Sequence, residues 1–70
     1  MKAEGYFYSY RGNGYGSFKT REEAIEDFND RRFRNSDYEH GAVLMYGTAI
    51  VNEDKRLQYG SKLENLEDLR

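Results

Sequence analysis

Four tyrosines, Tyr6, Tyr8, Tyr10 and Tyr15, gather around Arg11 near the start of this 70-residue chain. Residues 5–10 read as a strand, and a strand sends alternate side chains to opposite faces. Tyr6, Tyr8 and Tyr10 then share one face, while Phe7 and Ser9 take the other. Each tyrosine joins an apolar ring to a polar tip, which suits a surface covered only part of the time. The chemistry of the row is recognition, because tyrosine and arginine are enriched among the residues that dominate interface energetics. The expected partner-binding set is Tyr6, Tyr8, Tyr10, Arg11, Tyr15, Lys19 and Arg21.

Other chemistries find less support. Gly12, Gly14 and Gly16 suggest a phosphate cradle, but the spacing is not Gly-x-Gly-x-x-Gly and no Gly-Lys-Ser or Gly-Lys-Thr follows. A hairpin turn and a strand bulge account for them better. His40 is the only histidine and there is no cysteine. A zinc site would have to be completed by carboxylates alone, so no metal is expected. No motif supports a serine–histidine–carboxylate triad, and His40, just before Gly41, reads as a solvated loop residue. Nor does any carboxylate sit in a stretch that promises the apolar pocket needed to raise its pKa for acid catalysis. The expectation is a protein that is not an enzyme and takes no cofactor or small-molecule substrate.

The formal charge is −2, from 11 basic and 13 acidic side chains. That is not the balance of a general nucleic-acid binder. The signs are segregated, however. Lys2, Arg11, Lys19 and Arg21 against Glu4 leave residues 1–21 at +3; Glu22, Glu23, Glu26, Asp27 and Asp30 then bring −5; Arg31, Arg32 and Arg34 return +3. A helix matching its own dipole explains this order. Read functionally, the five acids form a secondary acidic surface able to orient a partner.

These residues need elements to hold them. Residues 5–10 and 15–19 predict a hairpin, its turn carried by Arg11-Gly12-Asn13-Gly14, with Asn-Gly supplying positive φ. Thr20-Arg21-Glu22-Glu23 is a capping box opening a helix from about Arg21 to Arg34. Ala24, Ile25 and Phe28 share its buried face. Phe33 lies off that stripe: either the helix ends near Arg32 and Phe33 folds under, or Phe33 is exposed for contact. Residues 35–41 are a polar loop. Residues 42–51 form the most apolar run, without clean alternation, as expected of a central strand covered on both faces. Residues 56–59 read as a short edge strand. Ser61-Lys62-Leu63-Glu64 reads as a second capping box, opening a short helix with Leu63, Leu66 and Leu69. The expectation is one α+β domain over residues 1–70, ββαββα, with a four-stranded antiparallel sheet and a short C-terminal helix.

If Phe7 and Phe18 face the first helix, the tyrosines face away from it. Three covers then compete: the C-terminal helix, a second copy in a homodimer, or a different partner. No apolar run approaches the roughly 20 residues that span a bilayer. The first residues lack the apolar core of a signal peptide, so a cytoplasmic protein with no membrane contact is expected.

Gly14-Tyr15-Gly16-Ser17-Phe18 followed by Thr20-Arg21-Glu22-Glu23-Ala24 resembles one piece of an RNA-recognition motif, in which a Gly-aromatic-Gly strand stacks bases and leads into a capped acidic helix. The likeness covers about ten residues. It implies that the rings, beside Arg11, Lys19 and Arg21, could stack single-stranded bases. The leading expectation is a protein-binding module, an inhibitor or adaptor docking by its aromatic sheet face. An inhibitor of a host nucleic-acid machine carried by a phage or mobile element, such as an anti-CRISPR protein, is one concrete version. The alternative is a single-stranded nucleic-acid binder using the same tyrosines.

Overall fold

A two-residue turn starts the fold. Strands β1 (Lys2–Tyr10) and β2 (Asn13–Phe18) are joined by Arg11-Gly12 alone. Both residues have positive φ, 52° and 82°, as a type I′ hairpin turn requires, and its twist matches that of the flanking strands. The turn thus falls two residues earlier than Asn13-Gly14, which lie in β2 and pair with Tyr10 and Ser9. The computed structural model describes residues 1–70, with Ser61 described by its backbone alone.

Helix α1 (Arg21–Arg34) begins where the capping box places it. The Thr20 side chain accepts from the Glu23 N–H at 3.1 Å. The Glu23 carboxylate reaches back to the Lys19 N–H at 3.2 Å, one residue before the usual partner. Ala24 and Phe28 are buried and Ile25 packs beside them, so the predicted stripe is the face that docks on the sheet. α1 keeps its turns to Arg34 and leaves Phe33 exposed.

Strands β3 (Ala42–Val51) and β4 (Leu57–Leu69) complete one antiparallel sheet of order β2-β1-β3-β4. The element order is therefore ββαββ. The short C-terminal helix is replaced by strand, and the edge strand expected over 56–59 continues to Leu69; the Ser61 side chain lies outside the described residues. The reason is a set of bulges. Pairing with β3 skips Leu66, Ser61 and Gln58. Each extra residue stretches the two-residue repeat of a strand to three, so the three-residue spacing of Leu63, Leu66 and Leu69 marks no helical face: Leu66 is the skipped, exposed residue, and Leu63 and Leu69 fall on opposite sides of the sheet. Leu57 and Leu63 pack with Phe7, while Leu69 packs beneath α1 on the other face.

The sheet curls into two cores. Between α1 and the sheet, Ala24 and Phe28 of the helix meet Tyr8, Tyr10, Ala42, Leu44 and Leu69. On the opposite face Phe7, Met45, Ala49 and Val51 are enclosed by Leu57 and Leu63. β3 is thus covered on both sides over Ala42–Met45, as its apolar run predicts, but from Tyr46 onward α1 no longer covers its outer face, where Tyr46 is exposed and Thr48 and Ile50 are half-buried. The sheet turns its corner at Gly5 and Gly47, which pair across β1 and β3 at φ 152° and 151°. Glycine is the residue for that backbone region. A Cβ on Gly5 would stand 2.6 Å from the Phe18 carbonyl oxygen. Past the corner the β3–β4 hairpin folds across until the Gly16 N–H donates to the Lys55 carbonyl at 3.0 Å and Tyr15 bridges Arg56. Gly14 makes room for the Leu57 side chain there. Sheet closure and close packing, not a phosphate cradle, occupy these glycines. No helix among the described residues is long and apolar enough to cross a membrane.

Candidate functional site

The tyrosine row lies against the helix, not away from it. Phe18 is on the helix side as expected and stacks on Tyr8 at 5.9 Å, but Phe7 faces the second core. Hydroxyl chemistry decides the matter. A buried phenol needs a hydrogen-bond partner and phenylalanine does not. The helix side supplies carboxylates; the Phe7 side supplies methyls.

Tyr8 is fully buried, and its hydroxyl donates to Asp27. Arg31 Nε donates to the same hydroxyl oxygen at 2.9 Å, and its guanidinium lies 3.8 Å from the centre of the Tyr15 ring. Burial, with Asp27 as acceptor, pushes the Tyr8 hydroxyl well above the ordinary tyrosine range. The Asp27–Arg31 pair, one helical turn apart at 3.5 Å, thus reaches down to hold the sheet.

Tyr10 donates to Asp37 Oδ2 at 2.6 Å. Asp37, almost fully buried, also accepts from the Glu39 and His40 N–H groups at 3.1 and 3.2 Å. His40 Nδ1 stands 3.1 Å from both of its oxygens. The Tyr10 hydrogen bond, with those from His40 and the two backbone groups, holds the Asp37 carboxyl well below the usual carboxylate range despite its burial. Arg32 is buried as well, its Nε donating to the Asp37 carbonyl and Nη2 to that of His40, each at 3.2 Å. His40 therefore helps close the loop after α1 while its ring stays exposed to solvent, as expected of a loop histidine. Tyr8 and Tyr10 hold elements of the fold together, and Tyr6 and Tyr15 are half-buried.

Of the three cations grouped with the row, Arg11 stays at its end, beside the Asp37 oxygen that accepts from Tyr10, while Lys19 and Arg21 are displaced from it. Arg11 sits at the hairpin turn, 3.7 Å from Asp37. Lys19 and Arg21 lie beyond the far end of β2, and Arg21 Nε is 2.5 Å from Glu67 on β4. That contact raises the arginine and lowers the carboxylate from their ordinary values.

Two surfaces remain open. Along α1 runs a groove of about 600 Å³ lined by Phe18, Phe33 and the acids Glu23, Glu26, Asp27 and Asp30. Arg31 and Arg34 pair with two of these acids, Asp27 and Asp30, at 3.5 and 3.1 Å, which leaves Glu23 and Glu26 outside those ion pairs; Phe33 is 69% exposed. Glu22 lies beside it, paired with Arg21. The second surface is the part of the sheet that α1 leaves bare, where Tyr46 and Tyr59 stand out, 43% and 63% exposed. Sequence reasoning missed both of these tyrosines. Tyr46 hides in an apolar run, and the bulges conceal which way Tyr59 points. It missed Asp37 too, because a loop acid gives no sign of a partner 27 residues earlier.

Among the described residues no group of three or more histidine, aspartate or glutamate side chains is placed to hold a metal ion. Neither protein-family models, nor curated proteins, nor solved structures match this chain.

Proposed function

We propose that this chain is a non-enzymatic protein-binding module, an inhibitor or adaptor, that meets its partner through the outer face of α1. One observation carries the reading: Phe33 stands exposed at a groove whose other lining is chiefly Phe18 and four carboxylates. Phe33 and the half-buried Phe18 line one groove together, and an apolar patch rimmed by polar groups marks an interaction surface. Glu23 and Glu26, outside the Asp27–Arg31 and Asp30–Arg34 pairs, select the partner. A protein surface carrying lysine or arginine around an apolar contact would be drawn in by the field and held by the ring. The tyrosines that first suggested a docking face support this role indirectly, because Tyr8 and Tyr15 hold Arg31, and Arg31 fixes Asp27 at the groove wall.

The test is affinity capture from native cells with the wild-type chain, Phe33→Ser, Glu26→Lys and a control substitution at exposed Leu66. A protein partner retained by wild type and the control but lost with both groove variants is the expected result. Retention that ignores both groove substitutions overturns the reading, as does recovery of single-stranded nucleic acid in place of protein.

A further inference from the structure

The bare part of the sheet has a symmetry that its sequence conceals. Strand register sets three transverse rows across β1, β3 and β4: Tyr6–Tyr46–Glu64, Glu4–Thr48–Lys62 and Lys2–Ile50–Tyr59. α1 packs on the other half of this face, around Tyr8, Tyr10, Leu44 and Ala42. The last two rows lie past the Gly5–Gly47 corner. Lys2, Glu4, Tyr46, Tyr59, Lys62 and Glu64 are all exposed.

We infer that this face binds a second copy of the chain, around a two-fold axis running along β3. Such a rotation lays β1 of one copy over β4 of the other, row upon row, and the contact is made twice. Glu4 then meets Lys62 of the second copy. Lys2 meets the Tyr59 ring, a cation over an aromatic face. The Tyr6 hydroxyl meets the Glu64 carboxylate. On the axis Ile50 meets Ile50, and Tyr46 meets Tyr46. Every off-axis pair is complementary in charge or polarity. An axis across the strands at the Thr48 row does the opposite, placing Glu4 on Glu4 and Lys62 on Lys62, which repel. Complementarity therefore selects both the occupant and the axis.

The patch is small. Three strands about 4.8 Å apart and rows about 6.7 Å apart give a footprint of about 300 Å² per copy, below the size of stable interfaces and fit only for a transient one. Association is accordingly weak and reversible, with a dissociation constant on the order of 100 μM. It leaves the α1 groove free on both copies and does not depend on the function proposed above.

The test is sedimentation equilibrium of the full chain up to about 1 mM. Wild type should dimerise. Glu4→Lys and Lys62→Glu should each weaken self-association about tenfold, since every dimer then carries two like-charge pairs. Mixed in equal amounts, the two variants should associate as well as wild type. In the mixed dimer the two substituted positions face each other with opposite charges, and the unchanged Lys62 of one copy faces the unchanged Glu4 of the other. Circular dichroism of each variant, substituted at an exposed position, should match wild type. Monomeric wild type at about 1 mM overturns the inference. So do single variants that dimerise normally, or a mixture no more associated than its components.

Discussion

Tyr10 and Asp37 stand 2.6 Å apart, hydroxyl to carboxylate, and tie the loop after α1 to the end of β1. The contact favours ionised Asp37, whose carboxyl is held below its ordinary value of 3.8. A carboxyl depressed in the folded state adds stability that is present above its ordinary value and lost as pH falls through the folded value. Denaturant unfolding should therefore show a midpoint that declines below about pH 4. Asp37→Asn should lower the midpoint at pH 7 and flatten the acid limb. An unchanged acid limb in the variant would assign the decline to other carboxylates.

Tyr8 provides the alkaline counterpart. Its hydroxyl lies between Asp27 and Arg31, and its pKa stands above the ordinary 10.0. A group raised in the folded state adds stability that is complete below its ordinary value and lost as pH rises toward the folded one. Stability should thus fall from about pH 10 upward. Absorbance titration should show the Tyr8 hydroxyl ionising only as the protein unfolds. Tyr8→Phe should abolish that late step and cost about 1–3 kcal/mol at neutral pH, because Asp27 and Arg31 keep only their 3.5 Å contact.

What could be read from the residues was local. The Thr20–Glu23 box fixes the start of α1, and Ala24 with Phe28 fixes its buried side, because both signals lie within a few residues. The apolar run of β3 likewise announced a strand, covered on both faces in its first half and on one face past Tyr46. The tyrosine face and β4 were hidden because each is decided at a distance. Which side of β1 accepts a phenol depends on Asp27 and Asp37, far along the chain. Which leucines of β4 share a face depends on bulges set by pairing with β3. The same distance hid the surface of Tyr46 and Tyr59, which exists only once the register is known.

The Gly5–Gly47 corner predicts an asymmetry among glycines. Gly5→Ala would push a methyl to 2.6 Å from the Phe18 carbonyl at φ 152°. Gly12→Ala, at φ 82°, meets nothing within 4 Å. Gly12→Ala should therefore cost about 1 kcal/mol, through backbone conformation alone. Gly5→Ala should cost roughly 3 kcal/mol or more, since collision adds to conformation. Thermal or urea unfolding of the pair checks this. Equal losses would mean that the corner relaxes and that the close approach of β1 to β2 is not what requires glycine there.

Two phenylalanines on α1 separate what the fold needs from what is left for a partner. Phe28 is 1% exposed and packs on Tyr8 and Tyr10, whereas Phe33 is 69% exposed. Truncating a buried phenylalanine costs about 3–5 kcal/mol, close to the whole net stability that so small a core supplies. Phe28→Ala should therefore leave the chain largely unfolded at 25 °C. Phe33→Ser removes no core contact and should shift stability by no more than about 0.5 kcal/mol, even toward greater solubility, since an apolar ring leaves water. Urea unfolding followed by circular dichroism distinguishes the two. A large loss in Phe33→Ser would place that ring in the fold's own packing and take away the apolar anchor on which the α1 groove depends as a docking surface.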